Sequence, residues 1–180
     1  MRSKKTLIAL LLVFIAPGVL AVLFYMNPNW LAGLPTNKGV FIRPAVKLSS
    51  LGGDVADKDK WHLVVWCPKG CGAACLDAVD EMARVRLALG RRLYQVDLWV
   101  LQGQTGVICN QDIAKAFKAK AIKTRALSSD EQLAVSVLDD KPKIFLADPN
   151  QYLVFEYTEK NKPNDVFQDL KRLLSAQEQT

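Results

Sequence analysis

The residues of this chain best suited to chemistry are its four cysteines, Cys67, Cys71, Cys75 and Cys109. A thiolate is both a nucleophile and a soft metal ligand, so closely spaced cysteines can exchange disulfides or hold a thiophilic ion. Pro68, Lys69 and Gly70 separate Cys67 from Cys71, whereas the common redox spacing has two intervening residues. The pair falls where an apolar run ends and a helical pattern begins. A helix N-terminus carries unpaired N–H groups and positive dipole potential, which favour a thiolate and lower its pKa. Cys67 and Cys71 are therefore the candidate reactive pair and the candidate metal ligands. The plain alternative is two buried cysteines that only pack, and the Pro-Lys-Gly insert argues against burial there. A structural zinc site would call for paired C-x-x-C knuckles, which these spacings lack. Cys75 lies one helical turn beyond Cys71 inside an apolar pattern, and reads first as a small core residue and second as a third sulfur ligand. For Cys109, in the polar segment 102–110, a reactive thiol, a bridge to Cys75 and a buried cysteine are all open.

The elements that must position these sulfurs follow from periodicity. Residues 61–66, Trp-His-Leu-Val-Val-Trp, form a β-branched and aromatic run that reads as a buried central strand. Residues 72–89 carry Cys75, Val79, Met82, Val85, Leu87 and Leu89 mainly at helical spacing, with Gly90 as a C-terminal stop. Residues 92–101 read as a second strand and 113–122 as a helix. Ser128-x-x-Glu131 is a capping-box signature opening a short helix through Leu138. A strand at 143–147, a turn at Asp148-Pro149-Asn150 and a partner strand at 151–157 form a hairpin. An amphipathic helix at 164–176 presents Val166, Phe167, Leu170, Leu173 and Leu174 on one face. Short apolar pieces at 39–42 and 46–48 suggest a leading hairpin. The order predicts an α/β domain with a mixed sheet and helices on both faces, the thioredoxin-like arrangement.

The remaining sequence places this domain. Residues 6–26 are uncharged and rich in Leu, Ile, Val, Ala and Phe, and about 20 such residues cross a hydrocarbon core of roughly 30 Å. Arg2, Lys4 and Lys5 precede the run and no compensating cluster follows. The positive-inside bias then puts the N-terminus in the cytoplasm and the body outside, in a bacterial inner membrane with a periplasmic soluble domain. Pro17-Gly18 should kink this span, which membrane helices tolerate. A cleaved signal peptide shares the layout, but the run ends in bulky Val22-Leu23-Phe24-Tyr25-Met26 where small residues are wanted, so an uncleaved anchor is expected. The expected organisation is an anchor at 1–26, a Pro- and Gly-bearing linker at 27–38 and one soluble domain at 39–180. The +6 net charge owes three units to the N-terminal tip, and no basic stripe follows, which argues against nucleic-acid binding.

The anchor, the aromatic strand running into Cys67-x-x-x-Cys71, the long helix and the strand ending Leu146-Ala147-Asp148-Pro149 together resemble the Sco/SenC family, copper-handling assembly factors for cytochrome c oxidase. The resemblance covers about residues 39–175 and is one of motif order. It implies copper bound by two cysteines and a distal histidine, the cysteines matching Cys67 and Cys71. Residues 136–143, where that histidine would lie, contain none. His62 is the only histidine of the chain, and on an extended strand it sits some 16 Å from Cys67. Since Cu(II) prefers nitrogen or oxygen donors and Cu(I) accepts thiolates, the implied cargo is Cu(I) on Cys67 and Cys71, with Cys75 as a candidate third ligand. The fold resemblance also raises a cis bond before Pro142 against the trans base rate. Three functions follow: an oxidase assembly factor handling copper or thiols, with an oxidase subunit or another assembly factor as partner; a general extracytoplasmic thiol–disulfide oxidoreductase with Cys67 attacking and Cys71 resolving; and a non-catalytic assembly partner. Whether the chain is an enzyme stays open at this level.

Overall fold

The computed structural model describes residues 2–27, 37–48, 59–103, 110–133 and 138–178. The chain divides into two units, Met1–Thr36 and Asn37–Thr180. The first holds helix α1 (Arg2–Met26), 25 residues long, which runs through Pro17. Its described apolar side chains, from Leu10 to Met26, are largely exposed. Among the described residues no helix is long and apolar enough to cross a membrane.

The second unit is a six-stranded mixed sheet in the order β1-β6-β5-β2-β3-β4. Its elements are β1 (Val40–Lys47), β2 (Trp61–Cys67), α2 (Ala73–Ala88), a 3-10 turn (Gly90–Gln95), β3 (Val96–Gln102), α3 (Gln111–Ala119), β4 (Ile122–Ala126), α4 (Ser129–Leu133), β5 (Lys143–Ala147), β6 (Tyr152–Tyr157) and α5 (Pro163–Gln177). Strands β2, β3 and β4 run parallel, joined through α2 and α3, while β5, β6 and β1 add antiparallel neighbours. Every residue of β2 is buried, as a strand with both faces covered must be. Its odd-numbered residues, Trp61 to Cys67, join Val79 and Met82 of α2, Phe117 of α3 and Leu170 and Leu174 of α5 in one core. Val64 and Trp66 face a second core with Ile42, Leu127, Leu138 and Phe145. The three longer helices of this unit thus contribute to a single face. Among the described residues outside the strands, the other face packs against Leu48, which follows β1, and Leu127 and Leu138, which flank α4.

Several boundaries differ from the pattern in the sequence. Residues 39–42 and 46–48 are not a hairpin. They belong mostly to one strand, β1, paired with β6 and interrupted by a register shift between Phe41 and Val46, where the Arg43–Pro44 peptide is cis. The strand expected from residue 92 starts at Val96, because Gly90, at φ +62°, ends α2 and the chain winds through a 3-10 turn first. The Arg86 guanidinium secures that turn by donating to the Leu93 and Val96 carbonyls. The helix expected to reach Ile122 stops at Ala119. Ala121 takes φ +52° and Ile122 opens β4, buried against the sheet. The capping box is present, with Glu131 accepting from the Ser128 amide and the Ser128 hydroxyl accepting from the Glu131 amide. Its helix ends at Leu133, Leu138 is not helical, and residues 134–137 lie outside the described set.

Candidate functional site

The cysteines gather at the carboxyl end of β2, where the parallel β2–α2–β3 unit turns. In open α/β sheets this end of the strands is where chemistry collects. Cys67 is the last residue of β2 and is paired in register with Gln102, the last residue of β3. Its carbonyl accepts from both Gly70 N (3.0 Å) and Gly103 N (3.1 Å), so the turn after the strand is tied to itself and to the neighbouring strand end. Gly70 makes that turn at φ +70°, a conformation glycine adopts without strain. At Gly103 the Pro68 carbonyl oxygen occupies the space a Cβ would need. Helix α2 then starts at Ala73, which puts Cys75 in its first turn, at the positive end of the helix dipole.

Cys67 and Cys75 are joined by a disulfide. Cys71 is also disulfide-bonded, and no described cysteine is a free thiol. All three are buried, with 1% of Cys67, 6% of Cys71 and 3% of Cys75 exposed, contrary to the exposure that the Pro68-Lys69-Gly70 insert suggested for the first two. The Gln102 side-chain amide donates to the Cys71 sulfur at 3.6 Å.

Beside this end lies the start of β5. Trp66 Nε1 donates to the Asp139 carbonyl at 2.7 Å, pinning the segment that leads to Pro142. Lys143 Nζ bridges Asp139 (2.9 Å) and Glu156 (2.8 Å). Burial of Lys143 works against its charge, but the hydrogen bonds it donates to Glu156 and Asp139 outweigh this and hold the ammonium pKa above its ordinary value. Burial likewise opposes the Asp139 carboxylate, and the bonds from Lys143 and the Lys141 amide overcome it, so this carboxyl is held below its usual range. A cavity of about 290 Å³ between α2 and β5 is lined by Ala74, Asp77, Pro142, Lys143, Tyr157 and Glu159, among others.

The expected pair is thus brought to one place but not bonded to each other: Cys67 is bonded to Cys75, which the sequence pattern suggested was a core residue. It is both, buried in the core and covalently tied to the strand end. Pro142 does lie next to the cysteine end, since Trp66 pairs with Lys143, but its peptide bond is trans. Cys109 lies outside the described residues. His62 is at the far end of β2, opposite Asp97 and Ala147, and strand alternation turns it to the face away from Cys67. Among the described residues no group of three or more His, Cys, Asp or Glu is placed to hold a metal ion. In this disulfide state the donor set does not fit copper, because Cu(I) needs thiolates and the three described sulfurs are already oxidised. Gln102 is the site residue that the sequence pattern missed. It ends the row Val96, Leu98, Val100 on the cysteine-bearing face, and an amide at the next position of a period-2 apolar row was the available signal.

Among solved structures, copper-bound ScoI from Arabidopsis thaliana matches at TM-score 0.50 and 13% identity, covering 66% of this chain and 86% of that one. A thiol:disulfide interchange protein from Bacteroides sp. matches at TM-score 0.48 and 18% identity, covering 74% and 88%. Copper-bound ScoI from Bradyrhizobium japonicum matches at 0.45 and 17%, covering 65% and 87%. Identity this low shows a shared thioredoxin-like fold and nothing finer. No curated protein matches the chain. The model of one family, described as the transmembrane-like, thioredoxin-like C-terminal domain, matches residues 61–176, from the first residue of β2 almost to the end of α5. With its mixed sheet, its helices and its cysteines at the carboxyl end of the central strand, this chain belongs to the transmembrane-like, thioredoxin-like C-terminal domain family.

Proposed function

We propose that this protein is a membrane-anchored, Sco-type helper that assists cytochrome c oxidase assembly by thiol handling in the periplasm, with residues 1–26 as its anchor. The observation that carries the reading is the convergence of Cys67, Cys71 and Cys75 at the β2–α2 junction of a thioredoxin-like fold. Buried disulfides suit an oxidising compartment, and the uncharged run at 6–26 behind Arg2, Lys4 and Lys5 suits an inner-membrane anchor with its N-terminus inside. The chemistry balances as an exchange. Two thiols of the reduced protein pass two electrons and two protons to a disulfide of the target subunit, which becomes a dithiol, while the bond between Cys67 and its partner re-forms here. An exported dithiol reductant of the thioredoxin class would return the protein to its reduced state. Cu(I) is a cargo for the reduced form alone, on Cys67 and Cys71.

The burial of Cys67 and Cys75 favours a dedicated partner over general thiol exchange, since attack on a disulfide sulfur requires access to it. Cells lacking the protein should lose oxidase activity and regain it with the wild-type chain but not with Cys67→Ser. Normal oxidase activity in the deletion strain would sink the assembly role. Cu(I) added to the fully reduced protein should bind stoichiometrically and be lost in Cys67→Ser; absence of binding would restrict the protein to thiol chemistry. Removal of residues 1–26 should move the protein from the membrane fraction to the soluble fraction.

A further inference from the structure

We infer that Gln102 is a positioning residue for Cys71: its side-chain amide stabilises the Cys71 thiolate and so makes this sulfur the better leaving group of the cysteine cluster. The inference rests on the redox reading of that cluster and deepens it. Successive residues of β3 alternate between faces, and Val96, Leu98 and Val100 all pack into the core shared with α2. The next position on that face should be apolar by the same logic. It is Gln102, in register with Cys67, and its amide nitrogen points at the Cys71 sulfur, 3.6 Å away.

The surroundings hold this amide in place. Gly103 N donates to the Cys67 carbonyl and Leu127 N donates to the Gln102 carbonyl (2.8 Å), so the end of β3 is fixed to the β2 turn on one side and to the segment after β4 on the other. The Pro68 carbonyl oxygen fills the space a Cβ at Gly103 would need, so the end of β3 approaches the β2 turn as closely as only a glycine allows. An amide N–H carries no net charge but donates more strongly to an anion than to a neutral thiol, so it favours the charged form. A lower thiol pKa speeds departure of that sulfur when its disulfide is attacked. Cys67 and Cys75 receive no such bond among those described for Gln102. The three sulfurs are thereby made chemically unequal: when a thiolate of the exported dithiol reductant attacks the sulfur bonded to Cys71, a mixed disulfide forms there and Cys71 leaves as the thiolate, a step made easier than the same attack on the Cys67–Cys75 bond.

The test is a site-resolved titration. The full-length protein is reduced, alkylated with iodoacetamide over a range of pH, and the rate at each cysteine-containing peptide is read by mass spectrometry. Gln102→Leu keeps the size and removes the donor; it should raise the Cys71 pKa by about one unit, the scale of one hydrogen bond to an anion, and leave Cys67 and Cys75 unmoved. Gln102→Glu should raise it at least as far, since a carboxylate beside a thiolate repels it. Gln102→Met serves as the neutral control should the leucine variant fold poorly. An unchanged Cys71 pKa in these variants, or equal shifts at all three cysteines, overturns the inference. Neither outcome bears on the assembly role, which is decided by the oxidase phenotype of Cys67→Ser.

Discussion

Cys67 is bound by two constraints at once, a disulfide through its side chain and two hydrogen bonds through its carbonyl. The bond to Cys75 closes a short loop over the turn and the first turn of α2, and removing such a link lowers stability by about 2 kcal/mol at the lower end of the usual range. Cys75→Ala should therefore shift the denaturation midpoint downward, and reduction of the wild-type protein should produce a shift of the same sense. Non-reducing peptide mapping should recover Cys67 and Cys75 in one linked fragment; a linked Cys67–Cys71 fragment in the resting oxidised protein would contradict the structure. The cysteines announced themselves in the sequence because few residue types can exchange electrons. Their pairing did not. It depends on Cys75 entering the first turn of α2 on the side facing β2, while Cys71 stays in the preceding turn beside Gln102.

At the scale of elements, local caps and turns decide where each segment starts and stops. Asn110 caps α3 by accepting from the Ile113 amide at 2.8 Å, and Asn110→Ala should lower stability by about 1 kcal/mol in chemical denaturation. In the capping box of α4, the Ser128 amide bonded to Glu131 is the main reason that this carboxyl is held below its ordinary value of 4.5. A depressed carboxyl pKa contributes stability that is present above the unfolded value and lost as pH falls through the folded one. The stability difference between wild type and Glu131→Gln should accordingly be full near neutral pH and vanish as pH drops through and below 4.5, a trend that acid titration by circular dichroism can follow. The central strand, α2, the β5–β6 hairpin and α5 were legible in the sequence because their apolar spacing is strong. Strand β4 was not, because Lys123 and Arg125 dilute its pattern, and its one buried apolar residue, Ile122, continues the helical spacing of α3.

For the whole molecule, the start and the end of the second unit, Asn37–Thr180, are joined through Asp169. One oxygen of this buried carboxylate accepts from the backbone amides of Lys38 (2.7 Å) and Gly39 (2.9 Å) and from the Tyr157 hydroxyl (3.1 Å). Burial and the carboxylate together push the Tyr157 hydroxyl far above its ordinary pKa, so it remains a donor. A chain beginning at Val40 loses two donors to the buried Asp169 carboxylate and should be less stable than one beginning at Asn37 by about 2–3 kcal/mol. Equal denaturation midpoints for the two would show that Asp169 does not fasten the entry segment. By itself, the sequence determined the α/β class, the order of the main elements and which residues could do redox chemistry, because burial periodicity and thiol chemistry are properties of local composition. Only the tertiary structure decided that Cys67 is bonded to Cys75, that Gln102 faces Cys71, and that Asp169 ties Lys38 and Gly39 into the core. Each of these contacts joins residues on different segments of the chain, and their meeting is set by strand register and helix placement, which no short window of sequence contains.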